Sequence, residues 1–333
     1  MNRPLKNLLT DAGGLKVGNA SDERVKSGVT VIICDEPCVA SAHVMGGAPG
    51  TRETDLLRPE QTVERIDAIV LAGGSAFGLD AASGVMARLV AAGRGFAVGP
   101  ALVPLVPAAI LFDLLNGGDK GSVDKGLYRA LAAHAFDSAG TDFELGSTGA
   151  GTGGTTANLK GGLGSASVIL PNGRVVAALA AVNPLGQVNI GDTRNFWAAP
   201  FEIDAEFGGF GFPGPIPPEA QRIRHKMQGR AGLNTALVIV ATDTPLTKAE
   251  ANRLAITAHS GIARAMWPSH TPYDGDIVFV LSTDQEERAG EIDMVELGAI
   301  ASACVTRACA RGVYEATPAP DDPMPTWRER FGQ

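Results

Sequence analysis

Several stretches of the chain are apolar without interruption yet only as long as a strand. Val175 to Val182, Ala236-Leu237-Val238-Ile239-Val240-Ala241 and Ile277-Val278-Phe279-Val280-Leu281 are of this kind, and Ile66-Asp67-Ala68-Ile69-Val70-Leu71 reads as a strand broken by a single aspartate. Such runs predict strands covered on both faces, since a half-exposed strand would alternate apolar with polar. Val29 to Cys34 reads as another strand, with Cys38 to Val44 returning as its hairpin partner across Asp35-Glu36-Pro37. Ser167-Val168-Ile169-Leu170 and Val175 to Val182 flank Pro171-Asn172-Gly173-Arg174, whose Asn-Gly suits a type I′ hairpin. Helical patterning covers Ala76 to Ala92, Pro107 to Leu115 and Ser122 to Ala139. A further helix runs from the capping box Thr247-Lys248-Ala249-Glu250 to about Trp267, and the last from Asp293 to about Tyr314.

Between these blocks lies Pro200 to Leu233, which carries Phe207-Gly208-Gly209-Phe210-Gly211-Phe212-Pro213-Gly214-Pro215 and then a basic, polar stretch. A long segment without regular structure inside a compact chain calls for a reason. It ends at Gly232-Leu233-Asn234-Thr235, where the apolar run 236–241 begins. The element order predicts one α/β domain with layered sheets over residues 1–316. The Pro-rich, charged tail 317–333 is expected to be mobile unless docked on another subunit.

Composition narrows the function. The 333 residues are 45% hydrophobic and 19% charged, with a net charge of −8. That acidity argues against non-specific binding of nucleic acid, which needs Lys and Arg to neutralise phosphates. Neither a signal-peptide core nor a membrane-length run is present, so a cytoplasmic protein with no membrane partner is expected. Cys34 and Cys38 flank a turn, Cys304 and Cys309 share a helix, and neither spacing is that of a zinc knuckle, so inert thiols and no metal are expected.

The glycine motifs need context. Gly73-Gly74-Ser75 follows a strand and opens a helix, a place for an anion or for tight packing. It is no hydrolase elbow, because Phe77 stands where the second glycine of G-x-S-x-G belongs. Gly149-Ala150-Gly151-Thr152-Gly153-Gly154 matches G-x-G-x-x-G formally, but no strand precedes it and no helix follows. It reads instead as a loop that delivers Lys160 near a cleft, with Gly149 and Gly151 as candidates to border a substrate pocket.

Asn234 and Thr235 alone fit a loop closing onto a strand. Other residues give the Thr235 hydroxyl possible company: Asp274 and Asp276 before one strand, Asn183 at the end of another, and Lys160. Asn183 fits either an oxyanion donor or a turn before Pro184. A chain-internal Thr is a weak nucleophile unless something takes its proton. Self-cleavage solves this: the hydroxyl attacks the preceding carbonyl, the ester hydrolyses, and the freed α-amine becomes the adjacent base. The slack segment before it would let the severed end move away.

The sequence resembles the self-processing N-terminal-nucleophile-like peptidases, which include L-aminopeptidase/D-esterases, β-peptidyl aminopeptidases and 6-aminohexanoate-oligomer hydrolases. The likeness spans roughly residues 10 to 315. It rests on the motifs Gly46 to Asp55, Leu71 to Leu79, Val182-Asn183-Pro184, Asn234-Thr235 and His270-Thr271-Pro272-Tyr273-Asp274-Gly275-Asp276. It implies a four-layer αββα sandwich, similar to that of N-terminal-nucleophile hydrolases, and cleavage into 1–234 and 235–333. Thr235 would be the nucleophile, Asp274 and Asp276 would orient and polarise its amine and hydroxyl, Asn183 would bind the oxyanion, and Lys160 would support the site. Phe112 departs from a Tyr carried by related enzymes, which puts substrate positioning there in question. The resemblance further implies no cofactor, a small peptide or amide substrate, and a homo-oligomer, often a tetramer. The Thr with Asp-Gly-Asp is closest to the nylon-oligomer hydrolases. Two other readings stay open: an acyltransferase like the ornithine acetyltransferases, and a non-catalytic binding relative.

Overall fold

The computed structural model describes residues 6–121, 123, 125–226, 234–284 and 290–332. In chain order its strands and helices begin with β1 (Leu15–Asp22), β2 (Ser27–Val44), β3 (Thr51–Arg52), β4 (Arg65–Ala72) and α1 (Ala81–Ala91). They continue with β5 (Phe96–Val98), β6 (Ala101–Val103), β7 (Ala108–Ile110), α2 (Leu127–Asp137), β8 (Gly162–Ile169) and β9 (Val175–Asn183). The last part holds β10 (Thr235–Thr242), α3 (Lys248–Ala265), β11 (Ile277–Ser282), α4 (Met294–Tyr314) and α5 (Trp327–Phe331).

One hydrogen-bonded ladder runs β3-β7-β4-β2-β11-β10-β9-β8, with β1 also paired to β2. Side-chain alternation divides it into two stacked layers. In β10, Leu237, Ile239 and Ala241 point into a central core, whereas Ala236, Val238 and Val240 point into an outer one. β9 splits in the same way, with Leu179 inward and Val176 and Val182 outward. On the other side, Ile69 and Leu71 of β4 enter that central core, while Ala68 and Val70 meet α1 and α2. Helices α3 and α4 cover the outer face of β8–β11. Three apolar cores between four layers make the αββα sandwich, and the uninterrupted apolar strands are those with both faces covered.

The two layers are joined by β2, which contradicts the expected hairpin. Residues 27–34 pair with β1, and residues 39–44 pair with β11, in one strand of 18 residues. The pairing with β4 shifts register between Ile33 and Cys38, where Asp35, Glu36 and Pro37 are exposed. A bulge accommodates a residue with no N–H and re-aims the strand, so polarity here marks a bend in place of a reversal.

Two further expectations change. The stretch from Pro107 to Leu115 holds the short strand β7 instead of a helix, because β3 and β4 flank it on both sides and take up its backbone groups. The tail packs on its own chain: Trp327 stacks on Phe210 at 5.4 Å and on Phe196 at 6.1 Å, and its indole N–H donates to the Arg194 carbonyl. Helix α2 starts at Leu127, and Ser122 lies outside the described residues, as do 227–233 with Gly232 and Leu233. The capping box at Thr247 and Glu250 is formed. All four cysteines are free and buried. Among the described residues no helix is long and apolar enough to cross a membrane.

Candidate active site around Asn234 and Thr235

The strand order places three chain segments around one peptide bond. Thr235, the first residue of β10, faces Asn183 in the antiparallel ladder with β9. Asn234 forms a parallel bridge with Asp274 just ahead of β11. The Asn234 N–H donates to the Tyr273 carbonyl at 2.9 Å, and the Gly275 N–H donates to the Asn234 carbonyl at 2.6 Å. The Thr235 hydroxyl donates to that same carbonyl. Two donors therefore converge on the oxygen of the Asn234–Thr235 bond, one of them the hydroxyl of the buried Thr235.

Gly275 has no alternative. A Cβ there would lie 2.7 Å from the Ala48 carbonyl oxygen and 2.8 Å from Thr235 Oγ1. The glycine-rich loop at 46–50 explains itself in the same terms. Ala48 N–H donates to the Asp274 carbonyl at 2.8 Å, and a Cβ on Gly46 would come within 2.3 Å of that oxygen. The loop is a backbone clamp on residues 271–276, and glycines permit the close approach.

Both expected carboxylates are buried here and held mostly by N–H groups. Asp276 Oδ1 accepts from the Ala236 N–H at 2.7 Å, and Oδ2 accepts from the His270 N–H at 3.1 Å. His270 Nδ1 lies 2.8 Å from that Oδ2. Asp274 accepts from the Leu185 N–H at 3.0 Å and from the Thr271 hydroxyl at 2.5 Å. Burial, with the neighbouring charge of Asp276, raises the Asp274 carboxyl above the usual range. Burial alone would lower His270, but the Asp276 carboxylate beside its Nδ1 more than reverses this and raises its pKa above the ordinary histidine value. Behind His270 stand His259 and His43, edge to face at 5.1 and 5.2 Å. Burial pushes His259 down to about 4, so it stays neutral. This histidine stack is invisible to sequence spacing, since its members come from β2, α3 and the loop before β11.

Asn183 is completely buried. Its Nδ2 donates to the Phe112 carbonyl at 3.0 Å, and its Oδ1 accepts from the Thr155 N–H at 3.0 Å and from Lys226 Nζ at 2.8 Å. Phe112 thus meets the site through its backbone. Lys226, which sequence reasoning missed, also donates to the Thr155 carbonyl at 2.8 Å, Thr155 Oγ1 at 3.1 Å and the Asn183 carbonyl at 3.1 Å. Burial lowers its pKa to about 7, against the pull of Asp274 and Asp113. The only hint in the sequence was its place in the basic stretch ahead of Asn234.

Lys160 is placed otherwise. Its Nζ pairs with Asp322 of the tail at 2.6 Å, and Lys26 pairs with the other oxygen at 3.1 Å. Its backbone forms a bridge with Thr155, so it stands beside the Asn183 cluster without a hydrogen bond to it among those described. Gly149 and Gly151 are buried packing positions: a Cβ on the first would lie 2.3 Å from Thr30 Oγ1, and on the second 2.1 Å from the Leu163 nitrogen.

The chain is similar to known proteins along nearly its whole length. The profile of peptidase family S58 matches residues 7–322. The chain is 39% identical to an uncharacterized aminopeptidase of Mycobacterium tuberculosis (strain ATCC 25618 / H37Rv), over 98% of both chains. It is 28% identical to a 6-aminohexanoate-oligomer endohydrolase of Kocuria sp. (strain KY2), covering 84% of this chain and 75% of that one. Among solved structures, a Burkholderia sp. beta-aminopeptidase superposes with a TM-score of 0.73 at 20% identity, over 99% of this chain and 93% of the other. An L-aminopeptidase D-Ala-esterase/amidase of Ochrobactrum anthropi, described as a variant of the Ntn hydrolase fold, gives 0.71 at 21% over the same shares. Those two likenesses establish the fold; the profile and the mycobacterial relative establish more: this chain belongs to peptidase family S58, hydrolases that act on peptide or amide bonds.

Proposed function

We propose that the protein cuts itself between Asn234 and Thr235 and then hydrolyses amides through an acyl-enzyme on Thr235. The observation that carries this reading is the Asn234 carbonyl, which accepts from the Gly275 N–H and lies against the Thr235 hydroxyl. In the first reaction Thr235 Oγ1 adds to the carbonyl carbon of Asn234. Negative charge grows on the carbonyl oxygen, where the fixed Gly275 N–H meets it without reorganisation. The C–N bond breaks, the Thr235 nitrogen takes the proton, and an ester joins Asn234 to Oγ1. Water then hydrolyses that ester to an Asn234 carboxylate and a free Thr235 amine.

That amine, with a reference pKa near 8, is matched to work as a base at neutral pH. Asp276 lies one residue along, on the Ala236 N–H, where its charge orients the amine. His270 holds Asp276 from the far side and Thr271 holds Asp274, so neither carboxylate is free to swing. In the second reaction the amine takes the Oγ1 proton as the hydroxyl adds to a substrate amide. It returns the proton to the leaving amine, and water releases the acyl group. Asn183 supplies an amide N–H for the substrate oxyanion, and Lys160 keeps the turn at 155–160 in place. Substrates of the right class are short peptides, amino-acid amides and linear ω-amino-acid oligomers. Support for that range comes from the names of the aminopeptidase and 6-aminohexanoate-oligomer relatives.

Intact mass spectrometry tests the first reaction. Wild-type protein yields 1–234 and 235–333, with threonine as the first residue of the smaller piece. Protein that stays whole at 34.3 kDa while hydrolysing amides overturns the mechanism.

A further inference from the structure

Lys226 meets a group of four oxygens that no other positive charge touches among the hydrogen bonds described. Its Nζ contacts four acceptors from two residues: the carbonyl and hydroxyl of Thr155 and the carbonyl and side-chain oxygen of Asn183. All four are neutral. Asn183 is also the residue directly across the ladder from Thr235, so the cluster adjoins the scissile bond. Lys226 itself belongs to the segment that ends at Asn234, and among the described residues its backbone is tied by a 3.3 Å hydrogen bond to the Leu185 carbonyl.

We infer that Thr155 and Asn183 form a subsite for a primary amine, which Lys226 fills in the uncut chain and a substrate amine fills after the segment departs. This rests on the proposed self-cleavage. Three N–H donors on one nitrogen match acceptors converging from several directions, whereas a guanidinium would present a flat fork that suits a carboxylate. Neutral acceptors hold an ammonium by dipoles alone. They do not bind it as a buried carboxylate would, so the occupant is exchangeable. The side chain of Lys226 is in effect a tethered n-butylammonium, and the segment acts as a stand-in for substrate until it is severed. The chemical class this selects is a substrate with an unblocked primary amine on the acyl side, placed by Asn183 next to the Thr235 hydroxyl. A chain-interior amide with no free amine gains nothing from the subsite.

The subsite can be tested where cleavage is impossible. Thr235→Ala and the double variant Thr235→Ala/Lys226→Met are titrated with n-butylammonium chloride, followed by ligand-detected NMR, with butyltrimethylammonium as a cation that lacks N–H donors. We expect the double variant to bind n-butylammonium at least tenfold more tightly than Thr235→Ala, and neither to bind the trimethyl cation. Equal binding by both variants, or by neither, overturns the subsite. Lys226→Gln in the same background serves if the Met variant does not fold, judged by circular dichroism. In the wild-type enzyme, N-acetylation of an amino-acid p-nitroanilide should lower kcat/KM at least 100-fold; equal turnover overturns the assignment. Failure of the wild type to split sinks the self-cleavage reading alone, because the titration reports the subsite without it.

Discussion

Two lysines meet the turn at residues 155–160, and they are held in opposite ways. Lys160 Nζ meets the Asp322 carboxylate, which Lys26 shares. Burial works against ionising Asp322, yet its bonds to Lys160, the Ala319 N–H and Lys26 leave its pKa below the usual range. Among the described residues Lys226 Nζ meets only neutral oxygens, and burial takes its pKa down to about 7. The first lysine carries its countercharge with it and locks the tail to the body. The second has none in contact among the described residues and sits on the segment that precedes Asn234. A charge fully paired inside a protein is architecture; one held by dipoles is an occupant.

The largest effect should come from the Asn234–Thr235 bond. Thr235→Ala removes the hydroxyl on the Asn234 carbonyl, and we expect one uncut chain with no measurable amide hydrolysis, read by mass spectrometry and a p-nitroanilide assay. Gly275→Ala pushes a Cβ against Thr235 Oγ1 and the Ala48 carbonyl. Self-cleavage should slow by about 100-fold or more, as when one oxyanion donor is displaced; unchanged processing would remove Gly275 from the reaction.

Next comes the paired lysine. Asp322→Ala strands Lys26 and Lys160, and thermal or urea unfolding should show a loss of about 3 kcal/mol, the range for breaking a buried ion pair. His270→Asn should lower turnover about tenfold by loosening Asp276, while a merely structural role would leave the pH profile of kcat in place. The acid limb of that profile should therefore move in the variant, because the imidazole beside Asp276 is gone.

The last effect, the smallest when read per pH unit, isolates the unpaired lysine. In the uncut Thr235→Ala chain, folded Lys226 loses its proton near pH 7 while unfolded lysine keeps it to about 10.4. The unfolded state then binds more protons, so stability should rise with pH between those values, by less than the one-proton limit of about 1.4 kcal/mol per pH unit. Adding Lys226→Met should remove that rise. A slope that persists assigns the titration elsewhere.

Much of the architecture is legible in the sequence. The apolar strands announce two covered faces, and Thr247-Lys248-Ala249-Glu250 announces its helix. What misleads is polarity inside β2, because Asp35-Glu36-Pro37 has the composition of a turn and the geometry of a bulge. Pro107 to Leu115 misleads in the opposite sense: apolar content alone does not separate a buried strand from a helix when its partners come from distant parts of the chain. At the site, Asn234, Thr235, Asp274, Asp276 and Asn183 are marked by sitting at strand ends, and the fold gathers them. Gly275, His270 and His259 act through backbone approach or stacking, which spacing does not encode. Lys226 has no motif at all; its partners lie 43 and 71 residues away.

The position of β10 and β11 carries a final consequence. They lie side by side in the interior of the ladder, between β2 on one flank and β9 on the other. Severing the chain before Thr235 would leave these two strands wedged into a frame supplied by the larger piece. Neither fragment has a complete central core of its own, since Leu237 and Phe279 share it with Ile32 and Leu179. The protein should then be a topologically interlocked pair that behaves as one body by size and as two chains only when denatured. Pieces synthesised apart would each present raw sheet edges, so folding has to come before cutting.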